Sequence, residues 1–479
     1  MISTDRPLAR LSALAASLTM FLVVATSVGV QARIGSSPVP VSGPSPYADC
    51  DAPLLHGERT YVNAEVEPWI AVDPSDPKHL VGAWQQDRHS SGGGASGLMS
   101  AVSNDRGRTW DRTTLPFSRC APGGLHLERA SDPWVSIGPD GTVYAISIAW
   151  NTRNGRNVVA SASSADGGTT WSSPVIVHTG PDNLGLGDDK ESITADPNRR
   201  GVAYATWTLL GLASDGSGEV NGAVWFARTS DGGATWRARR IYDPPGGGIT
   251  LAAQIVVDPT TGTLFDVFNY RRRNRGYQEV VRSHDGGATW SAPVRIGRDR
   301  GIGATHPNTG DPLRVGNEVP DVALDPRNGD LYVVWEDARF SNQRYDEVVM
   351  SRSTDAARTW SPPVRVNTPT GLPAFTPSIA INPQGVVGVS YYDVRGLESE
   401  TDTLPTDVWL VKLTPGGDRR VGEWKLAGPF DMMTAPFAGG AFLGDYEGLA
   451  VSGDRFVAFF AIANDGDRHN RTDIVSVVR

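Results

Sequence analysis

Apolar and polar residues alternate in short runs along most of the chain, and each run stops at a turn-forming residue. One kind of run ends in Asp-Pro, Asn-Pro or Gly-Pro: "WIAVDP" (69–74), "WVSIGP" (134–139), "SITADP" (192–197), "QIVVDP" (254–259), "DVALDP" (321–326) and "SIAINP" (378–383). A second kind often ends in Trp or Tyr, as in "HLVGAW" (79–84), "GVAYATW" (201–207) and "DLYVVW" (330–335). A third leads into a polar octapeptide ("EVVMSRS", 347–353) and a fourth leaves it ("PPVRVN", 362–367). A period of two over four to eight residues between breakers is the pattern of a half-buried strand. Four such strands per repeat, joined by short turns, predict an antiparallel propeller blade.

The octapeptide itself recurs as "SNDRGRTW" (103–110), "SADGGTTW" (164–171), "TSDGGATW" (229–236), "SHDGGATW" (283–290) and "STDAARTW" (353–360), roughly 55 to 70 residues apart. The consensus is S/T-x-D-x-G-x-T-W, with one lapse, Ala357 for glycine. These residue types build a corner: the carboxylate accepts turn N–H groups, glycine supplies a positive φ, the Thr hydroxyl closes the turn and the Trp ring tucks beneath it. They brace the hairpin between third and fourth strands and carry no chemistry. A sixth unit begins near Ser378 with a degenerate turn, "LTPGGDRRVGEW", and a seventh has three strands before Arg479. "ERTYVN" (58–63) resembles the outer-strand run "PVRVN", so it is expected to supply the missing strand and close the ring. The expected fold is therefore an all-β propeller of seven four-stranded antiparallel blades, with six as the alternative if the last unit only caps the ring.

The chain start changes the compartment. Arg6 and Arg10 precede an apolar run from Leu11 to Val30 and the small-residue pattern Val30-Gln31-Ala32. This predicts a signal peptide over 1–32 and a secreted protein, with an uncleaved anchor as the alternative. Residues 33–57, rich in Pro and Ser, read as a linker, leaving 58–479 for the propeller. In an exported chain the two cysteines, Cys50 and Cys120, are expected to form a disulfide. The formal net charge of −9 speaks against a nucleic-acid partner held by bulk electrostatics, and no stable membrane insertion is expected after cleavage. No nucleotide fingerprint or zinc ligand set is present, so no cofactor is expected. Calcium stays open through the oxygen-rich "NDGD" (464–467), which otherwise reads as a hairpin turn.

With its five boxes the chain resembles the sialidase superfamily, whose Asp boxes have this form, from about Glu58 to the end. The resemblance implies a propeller and an exo-acting glycosidase. Members bind the sugar carboxylate with three arginines and use a tyrosine paired with glutamate as nucleophile and an aspartate as acid/base, at the mouth opposite the boxes. The early Phe/Tyr-Arg-Ile-Pro motif of the family is missing; "ARIG" (32–35) lies in the linker. No catalytic residue is therefore carried over by motif.

Topology selects the candidates instead. The face opposite the boxes receives the approach to each first strand and the exit of each second strand. Exits contribute Asp87-Arg88-His89, Arg271-Arg272-Arg273, Asp337 with Arg339, and Asp393 with Arg395. Approaches contribute Glu65, Glu67, Asp132, Asp188, Asp189, Glu191, Glu318, Asp445, Tyr446 and Glu447. Arginines at a common axis would clamp an anion by paired N–H bonds, and facing carboxylates would act as acid, base or nucleophile. The candidates are Arg88, Arg339 and Arg395 for anion binding, Asp132 as acid/base, and Tyr446 with Glu447 or Glu318 as the nucleophilic pair. Adjacent strand residues point to opposite faces, which favours Glu318 over Glu447. The recurring Asp-x-Arg has a plainer reading as a structural ion pair, and Arg271–Arg273 one as a solvated loop tip.

The expected function is a sialidase-like glycoside hydrolase acting on terminal, acidic sugars of a glycan. The alternatives are a lyase cutting uronate-containing polysaccharides, in which arginines neutralise the carboxylate, and a non-catalytic propeller that binds carbohydrate or protein.

Overall fold

The computed structural model describes residues 33–34, 37–181, 186–212, 220–317 and 319–479. The expected signal peptide and the candidate Glu318 lie outside the described residues. Among the described residues no helix is long and apolar enough to cross a membrane.

The strand runs pair as consecutive antiparallel sets of four. The first is Thr60–Val72, Leu80–His89, Ala95–Ser103 and Asp111–Leu115. The second is Arg129–Ile137, Val143–Trp150, Asn157–Ser164 and Val175–Thr179. The third is Gly187–Ala195, Ala203–Leu212, Val220–Thr229 and Arg237–Tyr242. Ile249–Val257, Leu264–Arg272, Arg275–Ser283 and Val294–Asp299 make the fourth. The fifth runs Asp321–Leu324, Leu331–Asp337, Glu347–Ser353 and Val364–Arg365, and the sixth Ala374–Ile381, Val387–Asp393, Pro405–Leu413 and Arg420–Asp431. Last come Gly448–Ser452, Arg455–Ala463 and Thr472–Val478. The first strand of each set packs against the first strand of the next, and that of the last set against Thr60–Val72. Apolar core residues fill the space between neighbouring sets: Trp84, Phe459 and Phe460 between the last and first, Phe265, Val333 and Trp335 between the fourth and fifth.

Two expectations about the chain start are corrected. The outer strand of the last set is Val39–Pro40, antiparallel to Val475 and Ser476, not "ERTYVN". Thr60 and Tyr61 instead lengthen the first strand, opposite His89 and Arg88. The described part of 33–57 is accordingly packed rather than a free linker: Val41 and Tyr47 are buried, and the Tyr47 hydroxyl donates to the Leu98 carbonyl at 2.7 Å. Composition misread this segment because it has no periodicity to detect; a two-residue edge strand needs none, and an outer edge tolerates proline. The expected Cys50–Cys120 disulfide is present, with Cα atoms 5.6 Å apart.

The boxes close the third-to-fourth-strand hairpins. In the third, Asp231 Oδ1 accepts from Thr235 N at 2.9 Å, while Gly233 N donates to Thr229 Oγ1 at 3.1 Å. The Trp then reaches backward into the preceding set: Trp171 Nε1 donates to Ser100 Oγ at 3.1 Å, and Trp110 to Ser476 Oγ at 3.1 Å. In the lapsed fifth box Ala357 keeps the left-handed conformation (φ 60°) that glycine adopts elsewhere, at a cost of about 1 kcal/mol.

Candidate functional site

The site grows from a defect repeated in the first strands. Pairing with the second strand slips between Val66 and Trp69, between Ser131 and Trp134, and between Asp189 and Ser192, with the same slip in the fourth and sixth sets. At each slip one non-glycine residue takes a left-handed φ of 49 to 54°: Glu67, Asp132, Lys190, Ala252 and Thr376. Such bulges re-aim a side chain and are costly unless the surroundings enforce them. Each of these residues stands six positions before the Asp, Asn or Gly that precedes the strand-ending proline. In the fifth set that offset falls on Val319, not Glu318.

Three of the bulge residues meet. Lys190 Nζ lies 3.1 Å from Glu67 Oε1 and 3.4 Å from Asp132 Oδ2, and 2.7 Å from Asp445 Oδ2, which arrives just before the last set. Arg314, on the short strand Leu313–Arg314 that pairs with Ala441–Phe442, grips the same Asp445 through Nε at 3.0 Å. Its guanidinium sits over the Phe442 ring at 4.4 Å, and Arg88 approaches that ring at 5.1 Å. Packing beneath Lys190 is aromatic: Trp69 stacks on Trp134, and Tyr446 lies against Trp134 with centroids 5.2 Å apart.

Above this cluster opens a cleft of about 490 Å³. Asp132, Asp189, Lys190, Arg88 and Arg314 line its floor, while Trp150 and the positive-φ glycines Gly92–Gly94 form a wall. A Cβ on Gly94 would lie 2.5 Å from the Trp150 ring, so the ring position depends on glycine there. Asp188 completes one side, accepting from Trp207 Nε1 at 2.8 Å and held by His178 Nδ1 at 2.9 Å.

The carboxyl groups of the cleft separate into two protonation classes. Burial pushes Asp189 up to about 6, reinforced by the charge of Asp132. Burial also works on Asp132, but the Lys190 ammonium and hydrogen bonds from Ser131 and Glu67 outweigh it and hold that carboxyl below its ordinary value. Glu67, desolvated beside Asp132 and Asp445, rises to about 8 despite Lys190. Asp445 is driven down: burial opposes ionisation, but Lys190 and Arg314 prevail. A protonated carboxyl and an ionised carboxylate thus face one cavity, the division of labour that acid/base chemistry requires.

Of the residues singled out from sequence, Asp132 and Arg88 line this cleft. Arg88 is nearly fully buried; its Nη1 donates to the Gly94 carbonyl, and burial lowers its pKa to about 10. Arg339 and Arg395 are not brought to it. Arg339 is forked onto Asp337, with both contacts at 2.7 Å, and Arg395 contacts Asp393 Oδ2 at 2.6 Å while lying 3.6 Å over the Trp409 ring. The expected three-arginine clamp is therefore not assembled, because a guanidinium two residues beyond its own strand-end aspartate is captured locally. The Tyr446–Glu447 pair is corrected as well. Tyr446 is buried, its hydroxyl 3.3 Å from the Pro133 carbonyl, and burial among Glu67 and Asp132 pushes its pKa far up, the opposite of what a nucleophile needs. Glu447 points to the other side, where burial raises it to about 8 beside Ser390 and Tyr392. Lys190 and Arg314 were missed from sequence. Lys190 had a signal in the constant offset from the strand-ending proline; Arg314, on a two-residue strand, had none.

No family model matches the chain. A xyloglucanase of Acetivibrio thermocellus is 25% identical over 311 residues, 61% of this chain and 31% of the relative, so the chain spans about a third of that protein's length. Among solved structures, an alpha-L-arabinanase of Penicillium chrysogenum complexed with arabinobiose superposes with a TM-score of 0.48 at 15% identity, covering 93% of this chain and 98% of that one. A Hadza microbial sialidase gives 0.44 at 17% identity, over 69% and 64%. The repeated octapeptide closes the third-to-fourth-strand hairpin of five consecutive four-stranded antiparallel sheets.

Proposed function

We propose that the chain is an exported glycoside hydrolase on a closed ring of seven blades, cleaving a glycan in the cleft above Lys190. The observation that carries this reading is the pair of carboxyl groups on the cleft floor, Asp189 raised to about 6 and Asp132 held down. Asp189 in its protonated form gives its proton to the glycosidic oxygen as that bond breaks. The Asp132 carboxylate faces the developing positive charge on the sugar and takes the proton of the incoming water, and the two protons balance when Asp189 is recharged. Lys190 keeps Asp132 ionised, and the exposed face of Trp150 offers a stacking surface for a sugar ring. No cofactor enters this scheme. The Cys50–Cys120 disulfide supports export, since such bonds persist in oxidising compartments. A xyloglucanase among the curated relatives agrees with a glycan substrate. With Arg339 and Arg395 held by their own aspartates, the reading does not extend to an acidic sugar in the cleft.

The test is hydrolysis of a panel of fluorogenic glycosides and xyloglucan, arabinan and sialyl oligosaccharides by the protein from residue 33 onward. Release by the parent, reduced about 100-fold or more in Asp189→Asn and in Asp132→Asn, is expected. Release from no member of the panel, or variants as active as the parent, would sink the proposal.

A further inference from the structure

A second cleft, of about 760 Å³, is lined by Tyr270, Arg272, Arg273, Asn274, Arg275, Tyr277 and Arg295, none of them acidic. It lies at the hairpin between the second and third strands of the fourth set, where Arg272 pairs with Arg275 and Tyr270 with Tyr277. The charge is local and runs against that of the chain. Residues 237–300 hold 11 arginines and no lysine against 6 acidic residues, net +5, while the rest of the sequence sums to −14. Most of those acids do not neutralise the cleft: Asp266 and Asp299 are buried and bonded to Thr206 and Asn269, and Asp258 and Asp285 hold turns. Arg295 reaches Glu279 at 3.4 Å and covers the Tyr277 ring at 4.1 Å. Arg272 donates to the Gly246 carbonyl at 2.8 Å. Among the described residues Arg272, Arg273 and Arg275 have no carboxylate partner and are exposed, so their charge is available to a ligand.

The hairpin has a defined place relative to the first cleft. That cleft is walled by the equivalent second-to-third-strand hairpins of the first and second sets, at Gly92–Gly94 and Trp150–Asn157. The arginine hairpin of the fourth set belongs to the same series of turns and so to the same face. We propose that the Arg272–Arg275 cleft is a binding surface for a carboxylate- or sulfate-bearing polysaccharide, engaging acidic groups along the chain away from the bond that is cut. Guanidinium groups fork onto such oxygens, and the flanking tyrosines offer flat apolar surface to sugar rings. The choice of a polysaccharide over other polyanions rests on the hydrolase reading; the existence of an anion site does not.

Polygalacturonate and chondroitin sulfate are the probes, with dextran as the neutral control, in affinity electrophoresis and calorimetry of the parent and of Arg272→Ala/Arg273→Ala/Arg275→Ala. Retention of the parent by at least one acidic polymer, weakened about tenfold in the triple variant and abolished near ~0.5 M salt, is expected. Dextran should not retain either protein, and hydrolysis of small fluorogenic glycosides and the melting temperature should be unchanged, the three side chains being exposed at the end of the hairpin. A double variant, Arg273→Glu/Arg275→Glu, should bind more weakly still. No retention of the parent, or a triple variant that binds as the parent does, overturns the proposal. Single-stranded DNA that outcompetes both acidic polysaccharides overturns the polysaccharide assignment and makes this a nucleic-acid surface. Because retention is read without turnover, an inactive protein that still binds separates failure of the hydrolase reading from failure of this one.

Discussion

Lys190→Met is the most informative single change. Its ammonium is the common partner of Glu67, Asp132 and Asp445, at 3.1, 3.4 and 2.7 Å, in surroundings almost closed to water. Removing one member of a buried ion cluster leaves uncompensated charge and costs about 3–5 kcal/mol. Unfolding entropy of ~2.1 cal/mol/K per residue over roughly 440 residues gives ~0.9 kcal/mol/K, so the melting temperature should fall by about 3–5 °C. The effect on chemistry should be sharper. At an effective dielectric of ~20 the 3.4 Å contact with Asp132 is worth ~5 kcal/mol before relaxation, and one pKa unit is about 1.4 kcal/mol. Even with most of that lost to relaxation and water, Asp132 should rise by a unit or more, and Asp189, which the same ammonium also holds down without a direct contact, should rise with it. The acidic limb of the rate profile, set by Asp132, then moves to higher pH. Differential scanning calorimetry and the pH dependence of kcat/KM report the two effects separately, and Lys190→Arg should restore much of the second. A Lys190→Met protein that melts within a degree of the parent and keeps its acidic limb would refute the account of the cluster.

The remaining predictions follow from the same geometry. Activity should be confined between an acidic limb lying below the ordinary aspartate range, where Asp132 is protonated, and a limb near 6, where Asp189 loses its proton; Asp189→Asn should abolish the upper limb of the rate profile. Stability should decline from pH 5 to pH 8 in thermal melts. Glu67 and Glu447 are raised to about 8, Asp266 and Asp346 to about 7, and Asp189, Asp321 and Asp393 to about 6. Each such group binds its proton more tightly folded than unfolded, so its contribution is full below the ordinary carboxyl value and lost as pH rises through the native one; a melting temperature that climbs across this interval would contradict the assignment. Asp231→Ala should lower the melting temperature by about 1–2 °C and leave turnover untouched, since Asp231 only holds the turn at Thr229 and Thr235. Cys50→Ser should cost up to about 4 kcal/mol by the chain-entropy argument, for a bond spanning 70 positions, seen as an earlier denaturant midpoint; an unchanged midpoint would mean the tie constrains little.

The sequence by itself determined the repeating part of this protein. A period of two between Pro- and Gly-bearing turns leaves little choice of element, and the boxes mark which hairpin each strand belongs to, because these signals are local and recur. Asp132 was legible at the cleft on the same grounds, as an approach to a first strand. Only the tertiary structure decided where side chains converge. Whether Arg339 and Arg395 turn to the axis or fold back onto Asp337 and Asp393 depends on a two-residue geometry that composition does not encode. The left-handed bulges at Glu67, Asp132 and Lys190 exist because neighbouring first strands enforce them, and they bring together residues up to 378 positions apart, as at Glu67 and Asp445. Val39–Pro40 became the last outer strand because an unpaired edge was there to be covered, not because its residues favour a strand. Local patterning specifies elements; a site made from several elements at once is specified only when they pack.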